Sequence, residues 1–351
     1  MIDGSQSMLR IELPDKRRRS LGAPLAAREL ADAPPPYPYG WFAVAFSGEL
    51  RPGRLMTRTF MNREIVLFRT AAGTARAAEA YCPHLGAHLG HGGTVVGEEL
   101  RCPFHGFRYA VSGRCSYSPY GAPPPAARLG LLELRELCGV LMVWHGPAGE
   151  EPWEIEPPED QSRWRPLRTK RMRLHSHPQE VTENSVDFGH FSVLHGFRDA
   201  RIVEPLSVDG PRLRTSYAFT RPFPVIGGIG TEIHIRVDGL GFSVVELSVK
   251  AGWSIRQLVL TTPTGVRDVD VFVGTSVRSR ARGPIGKATL TPLEMLIERG
   301  VLRMVVVELL RDRQIWDHKK YLGKPAIAAG DGPIAAYRTW ARQFYPEETP
   351  R

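Results

Sequence analysis

The chain has 351 residues, which is long enough for two domains with separate hydrophobic cores. No apolar run approaches the roughly 18 residues of a membrane-spanning helix, and no signal-peptide core opens the sequence, so we expect a soluble, cytoplasmic protein. The formal net charge of +9 comes from basic residues scattered along the chain without any nucleic-acid-binding motif. We therefore expect no nucleic-acid partner.

The N-terminal part of the chain divides into a tail and a β domain. Residues 1–36 predict a poorly ordered tail that ends at Pro34–Pro36. The tail contains the basic cluster Lys16–Arg19, which we interpret as a solvated segment; an acidic electron carrier that docks there is the alternative. Residues 37–150 predict an all-β domain, and its strands are expected at Trp41–Ala45, Glu64–Arg69 and Gly139–Trp144.

Two Cys/His pairs carry the chemistry of this domain. The first is Cys82-Pro83-His84, and after seventeen residues comes Cys102-Pro103-Phe104-His105. Two thiolates for one iron and two imidazoles for the other are the ligands of a Rieske [2Fe–2S] centre. Zinc is the alternative, but zinc fingers usually pair Cys with Cys and His with His. The mixed pairs therefore favour the cluster.

At these residues the sequence resembles the Rieske family. Respiratory Rieske proteins carry an extra cysteine in each loop, and here those positions are Ala87 and Phe104. Their serine beside the second loop is replaced by Phe107. Fewer hydrogen bonds to the sulfurs should lower the reduction potential. The resemblance therefore implies an electron-donating centre of the ring-hydroxylating oxygenase type.

The two remaining cysteines are not expected to form a disulfide. A cluster-bearing protein normally matures in a reducing cytoplasm, where disulfides are rare. Cys115 and Cys138 should therefore be free, and Cys138 should be a small buried residue in the apolar run Leu137–Val143.

A second group of metal-binding residues follows a Pro-rich linker, which we place at residues 151–166. The catalytic domain is expected at 167–345 and a C-terminal tail at 346–351. Its first motif contains Asp187, His190 and His195. Two histidines and one carboxylate can form the open face of a non-haem iron site. Since His190 and His195 would lie about 140° apart around a helix, that helix must end or bulge between them, and Gly189 and Gly196 are the candidate breakpoints.

This motif resembles the mononuclear-iron motif of the Rieske oxygenases. The resemblance implies that His190 and His195 bind iron. It implies that Asp187 connects the iron site to a Rieske histidine of a neighbouring subunit, and that Asn184 lies just outside the ligands. His175 and His177 fall outside the pattern and are expected not to be ligands.

The rest of the chain predicts a sheet and a long helix. Alternating apolar segments indicate an antiparallel sheet; they are Arg212–Thr220, Glu232–Val237, Phe242–Val249, Ile255–Thr262 and Val266–Val277. Thr291 as N-cap, with Pro292 and Glu294 behind it, then predicts a helix start. The apolar face of this helix should cover the sheet; it comprises Leu302, Val305, Val306 and Leu309.

The end of this helix supplies the third iron ligand. The stretch Asp312–Trp316, with Lys319 to Tyr321 behind it, resembles the third-ligand helix of the steroid-acting members, the ketosteroid hydroxylases and cholesterol desaturases. The resemblance implies Asp312 as the ligand, with Glu308 as the alternative.

Together these patterns predict an α+β protein with an N-terminal all-β Rieske domain and a helix-grip-like catalytic domain, whose antiparallel sheet is covered by helices. The resemblance implies a terminal oxygenase with a [2Fe–2S] cluster, mononuclear Fe(II) and O2 as co-substrate. Electrons would come from NAD(P)H through a separate reductase or a ferredoxin. It also implies a head-to-tail homotrimer in which His105 of one subunit faces Asp187 of the next.

The expected reaction is hydroxylation of an unactivated C–H bond in a large apolar, steroid-like or polycyclic substrate. A desaturase or oxidative cyclase is the alternative within the enzyme class, and a Rieske electron carrier without oxygenase activity is the alternative outside it. The candidate pocket residues are apolar; they are Phe188, Phe191, Val193, Leu194, Phe223, Val225, Ile226, Phe242 and Trp253.

Overall fold

The computed structural model describes residues 33–158, 164–223, 227–249, 253–278 and 283–346, with backbone alone for 283–290. Most of the predicted tails and part of the predicted linker, including Lys16–Arg19, therefore lie outside the described residues. Val225 and Ile226 lie outside them as well. No helix in the described ranges is long and apolar enough to cross a membrane.

The N-terminal domain is built entirely from strands that form three antiparallel sheets, with one 3-10 turn at Ser47–Glu49. The sheet orders are β1-β11-β10, β2-β3-β4-β9 and β5-β6-β7-β8. The strand bounds are β1 Gly40–Phe46, β2 Arg54–Phe60, β3 Arg63–Arg69, β4 Ala75–Glu79, β5 Thr94–Val96, β6 Glu99–Arg101, β7 Arg108–Ala110, β8 Cys115–Tyr117, β9 Leu131–Leu132, β10 Leu134–Leu137 and β11 Val140–His145. The expected strands correspond to β1, β3 and β11, whereas the short strands that flank the Cys/His pairs carried too few residues to show alternation.

The expected disulfide-free state of the cysteines agrees with the structure. All four cysteines are free. Cys138 is nevertheless only half-buried and has a φ of +52°, because it lies in the turn between β10 and β11. The prediction of a buried strand residue was therefore wrong at this position.

The second domain is organised around one seven-stranded antiparallel sheet, in the order β12-β18-β17-β16-β15-β14-β13. The strand bounds are β12 Arg168–His175, β13 Arg198–Asp209, β14 Arg212–Arg221, β15 Ile229–Asp238, β16 Phe242–Val249, β17 Trp253–Pro263 and β18 Asp268–Val277. The five predicted segments are the five inner strands. The two edge strands were missed, because they are rich in charged residues and largely exposed.

Strand alternation gives this sheet two different buried faces. On β16, Phe242 and Val244 pack against Trp41 and Met142 of the N-terminal domain. Residues of the opposite parity, such as Leu247, pack in the core beneath the long helix. The N-terminal domain therefore lies on one face of the sheet, and the helices lie on the other.

The described residues of this domain also form four helices. They are α1 Pro178–Glu183, α2 His190–Val193, α3 Gly283–Trp316 and α4 Ile334–Ala341, followed by a 3-10 turn at Arg342–Phe344. The predicted N-cap at Thr291 was wrong, since α3 begins at Gly283 and runs through Pro292. Proline already has a helical φ, and it removes only one backbone hydrogen bond from a helix that packing holds in place. Val305 and Leu309 face the sheet as predicted.

The two domains are joined by packing as well as by the chain. Trp153, in the segment predicted as a linker, accepts a hydrogen bond on its carbonyl from the Trp41 indole at 2.8 Å. Its ring contacts Trp144 and Phe344. The Thr262 hydroxyl also donates to the Ala43 carbonyl at 2.6 Å. These contacts fix the N-terminal domain on the outer face of the sheet.

His177 is a buried residue that secures the start of α1. Its Nδ1 accepts a hydrogen bond from the Gln179 backbone N–H at 3.1 Å, and its Nε2 lies 3.0 Å from the Pro35 carbonyl oxygen. A carbonyl can only accept, so Nε2 carries the proton and the neutral ring satisfies both contacts. Burial lowers the pKa of His177 to about 3.

We expect His177 to make the protein less stable in acid. The pKa of His177 in the unfolded chain is about 6.5. The contribution of the neutral ring to the free energy of unfolding is therefore complete above that pH and is lost as the pH falls towards 3. Through this one residue, the free energy of unfolding should change by at most ~1.4 kcal/mol per pH unit. Asn can cap a helix but does not titrate, so His177→Asn should show a shallower loss in urea unfolding between about pH 4.5 and 7. An unchanged pH dependence would contradict this role.

Candidate active site

The two Cys/His loops of the N-terminal domain have the same backbone design. The Cys82 N–H donates to Ala87 O at 2.8 Å, and the Cys102 N–H donates to Phe107 O at 2.8 Å. In each loop a glycine N–H also donates to the carbonyl of the cysteine. These glycines are Gly86, with a φ of +74°, and Gly106, with a φ of +69°. Only glycine adopts this conformation without strain. The loops therefore present equivalent ligand positions.

The side chains on these loops suit a two-iron cluster. Cys82 and Cys102 are buried, and burial raises the pKa of the Cys102 thiol, with the neighbouring Cys82 adding to the shift. The rings of His84 and His105 lie 4.8 Å apart at the other side of the loops, and His84 stacks on Phe107. Two buried thiols and two adjacent imidazoles are the donor set of a Rieske [2Fe–2S] centre.

Tyr109 is a residue of this site that sequence reasoning missed. Its hydroxyl lies 3.0 Å from Cys82 Sγ in the core of the domain. The sequence signal was its position two residues after Phe107, which places both side chains on one face at the start of β7. Tyr109 therefore supplies one hydrogen bond to a cysteine sulfur. The expectation of fewer such bonds than in respiratory Rieske proteins stays a prediction.

The catalytic domain brings the second group of predicted residues together. One ligand atom from each of His190, His195 and Asp312 lies within 4.8 Å of the others. His190 begins α2, and His195 follows its end, just before Gly196 with a φ of +69°. The predicted break between the histidines is thus present. It lets two residues five apart reach the same point.

The charges around these side chains favour a bound cation. Asp312 is buried on α3, and its Oδ1 lies 3.3 Å from His195 Nε2 without a hydrogen bond that satisfies it. Burial lowers the pKa of His195, but Asp312 and Glu308 outweigh it and raise the pKa to about 9. The two carboxylates thus place negative charge at both edges of the ring, which favours a cation there. Two imidazoles and one carboxylate fit a divalent iron with open coordination positions.

Glu308 occupies a different position from that of a third ligand. Its Oε2 lies 2.7 Å from His195 Nδ1, on the ring edge away from Asp312. Its Oε1 accepts a hydrogen bond from Arg221 at 2.8 Å. A carboxylate that accepts the Nδ1 proton fixes the tautomer in which Nε2 can bind metal. Glu308 therefore orients His195, a role that spacing along a helix cannot reveal.

Asp187 and Asn184 lie beside the iron residues. Asp187 Oδ1 accepts a hydrogen bond from the His190 backbone N–H at 3.3 Å and lies 3.6 Å from His190 Nδ1. Burial raises the pKa of Asp187, but His190 outweighs it and the net shift is downward. Both residues line an open cleft of about 400 Å³, which we call the Asp187 cleft and which also reaches Asp312. The carboxylate is thus ionised and accessible from outside the subunit.

Two adjoining cavities lie between the sheet and the predicted iron residues. The inner cavity, of about 180 Å³, is lined by His190, His195 and Asp312 together with apolar residues of the sheet. The outer cavity, of about 690 Å³, is mainly apolar. The cavities share five lining residues: His195, Phe197, Arg221, Leu247 and Glu308.

The predicted pocket residues are distributed among several places. Phe191 lines the inner cavity, and Phe223 and Trp253 line the outer one. Val193 and Leu194 instead line the Asp187 cleft, where Val193 is 88% exposed.

Two pocket predictions were wrong for packing reasons. Phe188 packs against Phe191 and Tyr217 in the core beside the cavity. Phe242 packs on the opposite face of the sheet, against the N-terminal domain. Period-two alternation places Ser243, and not Phe242, on the cavity side.

Comparisons with known proteins identify the family of both domains. Residues 40–133 match the Rieske [2Fe-2S] domain, and residues 143–345 match the 3-ketosteroid 9alpha-hydroxylase C-terminal domain. The chain belongs to the Rieske non-haem iron oxygenases. The [2Fe–2S] cluster and mononuclear iron are the cofactors of this family, and the Rieske match resolves the choice between zinc and the cluster.

Its relatives include steroid-acting enzymes. Cholesterol 7-desaturase nvd 1 of Ciona intestinalis is 31% identical over 96% of this chain and 73% of that protein. The oxygenase component of 3-ketosteroid-9-alpha-monooxygenase from Rhodococcus rhodochrous is 26% identical over 87% of this chain and 83% of that protein. Dicamba monooxygenase bound to dicamba has the same fold, with a TM-score of 0.63 and 20% identity over 87% of this chain and 96% of that chain.

The Tyr109 contact predicts a measurable effect on the cluster. A hydrogen bond to a ligand sulfur stabilises the more negative, reduced state, so Tyr109→Phe should lower the midpoint potential. A net ~0.5–1.5 kcal/mol per hydrogen bond corresponds to ~20–60 mV for one electron. Spectroelectrochemical titration measures the change. Tyr117→Phe, at an exposed tyrosine of β8, is the control, and equal potentials for all three proteins would contradict the prediction.

The Glu308 contact predicts weaker iron binding when the carboxylate is removed. Loss of such a partner typically costs ~10–100-fold in metal affinity or activity, so Glu308→Ala should bind Fe(II) more weakly, with the cluster absorbance unchanged. The amide oxygen of Glu308→Gln can still accept a hydrogen bond from His195 Nδ1. The Fe(II) affinity of this variant should therefore lie between those of Glu308→Ala and the wild type. Competition with a chelator gives the affinities. Gln314→Ala, at an exposed position of the same helix, should match the wild type, and a similar loss there would argue against a specific role for Glu308.

Proposed function

We propose that this oxygenase oxidises an unactivated C–H bond of a large apolar, steroid-like substrate, with hydroxylation as the reaction. One observation carries the proposal: the predicted iron residues line a mainly apolar cavity that shares five lining residues with a larger apolar one. Apolar walls remove a large hydrocarbon from water and leave few groups that compete for its orientation. The steroid-acting relatives support the same substrate class.

We assign the metals to the residues predicted from the sequence. Cys82, His84, Cys102 and His105 would hold the [2Fe–2S] cluster, and His190, His195 and Asp312 would hold the mononuclear iron. The two centres would together activate O2 with electrons delivered to the cluster. The protein's own part is to exclude water from the inner cavity, to hold His195 in one tautomer through Glu308, and to keep Asp187 ionised beside His190.

Electron delivery would require other chains. A relative named as an oxygenase component supports a separate reductase as a partner of this chain. Within one chain the sheet separates the N-terminal domain from the iron residues, which favours transfer between subunits. His105 is flanked by the exposed Phe104, and the Asp187 cleft is flanked by the exposed Val193. Such surfaces suit the proposed head-to-tail trimer, whose repeated contact closes into a ring.

Desaturation is a second candidate reaction, since the similarity to cholesterol 7-desaturase extends over 96% of this chain. Both reactions begin by removing a hydrogen atom from the same kind of carbon. Mass spectrometry after turnover with a surrogate reductase, NADH, a steroid panel and ¹⁸O2 separates them. A product that gains one labelled oxygen supports hydroxylation, and loss of two hydrogens without label supports desaturation. Absence of turnover with every steroid would contradict the proposed substrate class.

The iron assignment predicts a selective loss in one variant. His190→Ala should lose the mononuclear iron and all substrate oxidation, while the visible spectrum of the cluster stays unchanged. The electron paramagnetic resonance signal of the ferrous site with nitric oxide reports the iron without turnover. Ser192→Ala, on the same short helix and exposed, is the matched control. Substrate oxidation by His190→Ala would show that the ligand assignment is wrong.

A further inference from the structure

The floor of the inner cavity contains polar residues in an otherwise apolar strand surface. On β17 the side chains facing the cavity include Gln257, Val259 and Thr261, and Ser243 of β16 joins them. The Thr261 hydroxyl is already used, since it donates to the Leu240 carbonyl at 2.7 Å. The side chains of Gln257 and Ser243 make no hydrogen bond with any residue that the structure describes, although both backbones are paired in the sheet. Their polar atoms therefore remain available to a ligand.

An amide at position 257 has no evident packing purpose. Its neighbours on the same face of β17 are Ile255 and Val259, and the residues directly opposite are Val245 on β16 and Thr275 on β18, whose hydroxyl makes no hydrogen bond with Gln257. Gln257 is half-buried, and its amide stabilises such an apolar surface only when something hydrogen-bonds it. An apolar residue would pack better in an empty cavity. A bound molecule can supply that partner.

The sheet register places Gln257 and Ser243 close enough to share one partner. Ser243 pairs with Val259, and Val245 pairs with Gln257, so Ser243 and Gln257 are diagonal neighbours on one face. Such neighbours lie ~7–8 Å apart, within reach of a long side chain. An amide and a hydroxyl each donate and accept. The pair can therefore bind either a ketone or a hydroxyl oxygen.

The charges of the cavity indicate that this oxygen is neutral. Arg221 lines both cavities, and Arg311 lines the outer one. Arg221 Nη1 donates to Glu308 at 2.8 Å and its guanidinium stacks on Phe197, and Arg311 donates to the same carboxylate at 3.2 Å. Both arginines are paired with Glu308, and the floor residues Gln257 and Ser243 carry no charge. The floor thus suits an uncharged oxygen on an apolar molecule.

We propose that Gln257, assisted by Ser243, binds a neutral ketone or hydroxyl oxygen of the substrate and so determines which carbon faces His190, His195 and Asp312. This inference rests on the proposed oxidation of a steroid-like substrate in the same cavity. The sheet floor and α3 line opposite sides of that cavity, with Asp312 on the helix side. An oxygen held at the floor therefore fixes the rotation of a rigid polycyclic body relative to the iron residues. The outer cavity receives the apolar remainder of the molecule.

A binding experiment on the holoenzyme tests this without turnover. Trp316 lines the inner cavity and Trp253 the outer one, so tryptophan fluorescence can report binding. The probes are cholesterol, its 4-en-3-one and the 3-deoxy hydrocarbon cholest-5-ene. Wild type should bind cholesterol and its 4-en-3-one ~2–10-fold more tightly than cholest-5-ene, which corresponds to one net hydrogen bond. Gln257→Met, which keeps the length of the side chain, should bind all three with similar affinity.

Two further variants keep the test specific. Ser243→Ala should lose part of the preference, and Gln314→Met, the same change at an exposed position of α3, should keep all of it. An unchanged preference in Gln257→Met, or no preference in wild type, would overturn the role of Gln257 and leave the steroid-like substrate class intact. If none of the three steroids bound to the wild type, both the substrate class and the role of Gln257 would be overturned.

Discussion

The constraint on which this structure depends is the alternation of side chains across the seven-stranded sheet. Successive residues of a strand point to opposite faces, and here both faces are buried. Phe242 faces the N-terminal domain, and Ser243 faces the cavity beneath α3. A one-residue slip in register would exchange the domain interface with the cavity wall. One sheet therefore determines both how the domains dock and what the cavity presents to a ligand.

The second constraint is electrostatic and concerns a small group of buried charges. Asp312 and Glu308 approach opposite edges of the His195 ring. An unpaired buried carboxylate is costly, so this arrangement favours a cation. Arg221 balances Glu308 on the outer side, and no arginine or lysine pairs with Asp312 among the described residues. The same pairing makes the cavity suitable for neutral substrates.

Much of the metal chemistry could be predicted from local patterns. Cys82 and His84 lie in one short motif, as do His190 and His195, so chain spacing was enough to propose the metals that they bind. Asp312 was reached only through a resemblance, because a lone carboxylate on a helix has no local signature. The break of the helix before His195 could be inferred, since the two histidines cannot otherwise meet.

The residues that sequence reasoning missed act through tertiary contacts. Glu308 reaches His195 from a helix 113 positions further along the chain, and Tyr109 reaches Cys82 across two strands. The start of α3 was misplaced because Thr291 and Pro292 form a good local start signal that tertiary packing overrides. The edge strands β12 and β13 escaped because exposed, charged strands show little alternation. Local pattern thus predicted which side chains come together, and long-range contacts determined their environment.

The central claim is that one chain holds a Rieske cluster and a separate mononuclear iron. Mössbauer spectroscopy of the ⁵⁷Fe-enriched protein, with chemical analysis of iron and sulfide, tests it most directly. The account predicts three irons and two inorganic sulfides per chain, with two irons in inequivalent sulfur and mixed sulfur–nitrogen environments and one in a high-spin ferrous site of nitrogen and oxygen ligands. A protein that retained only the two cluster irons after reconstitution with excess Fe(II) would contradict it.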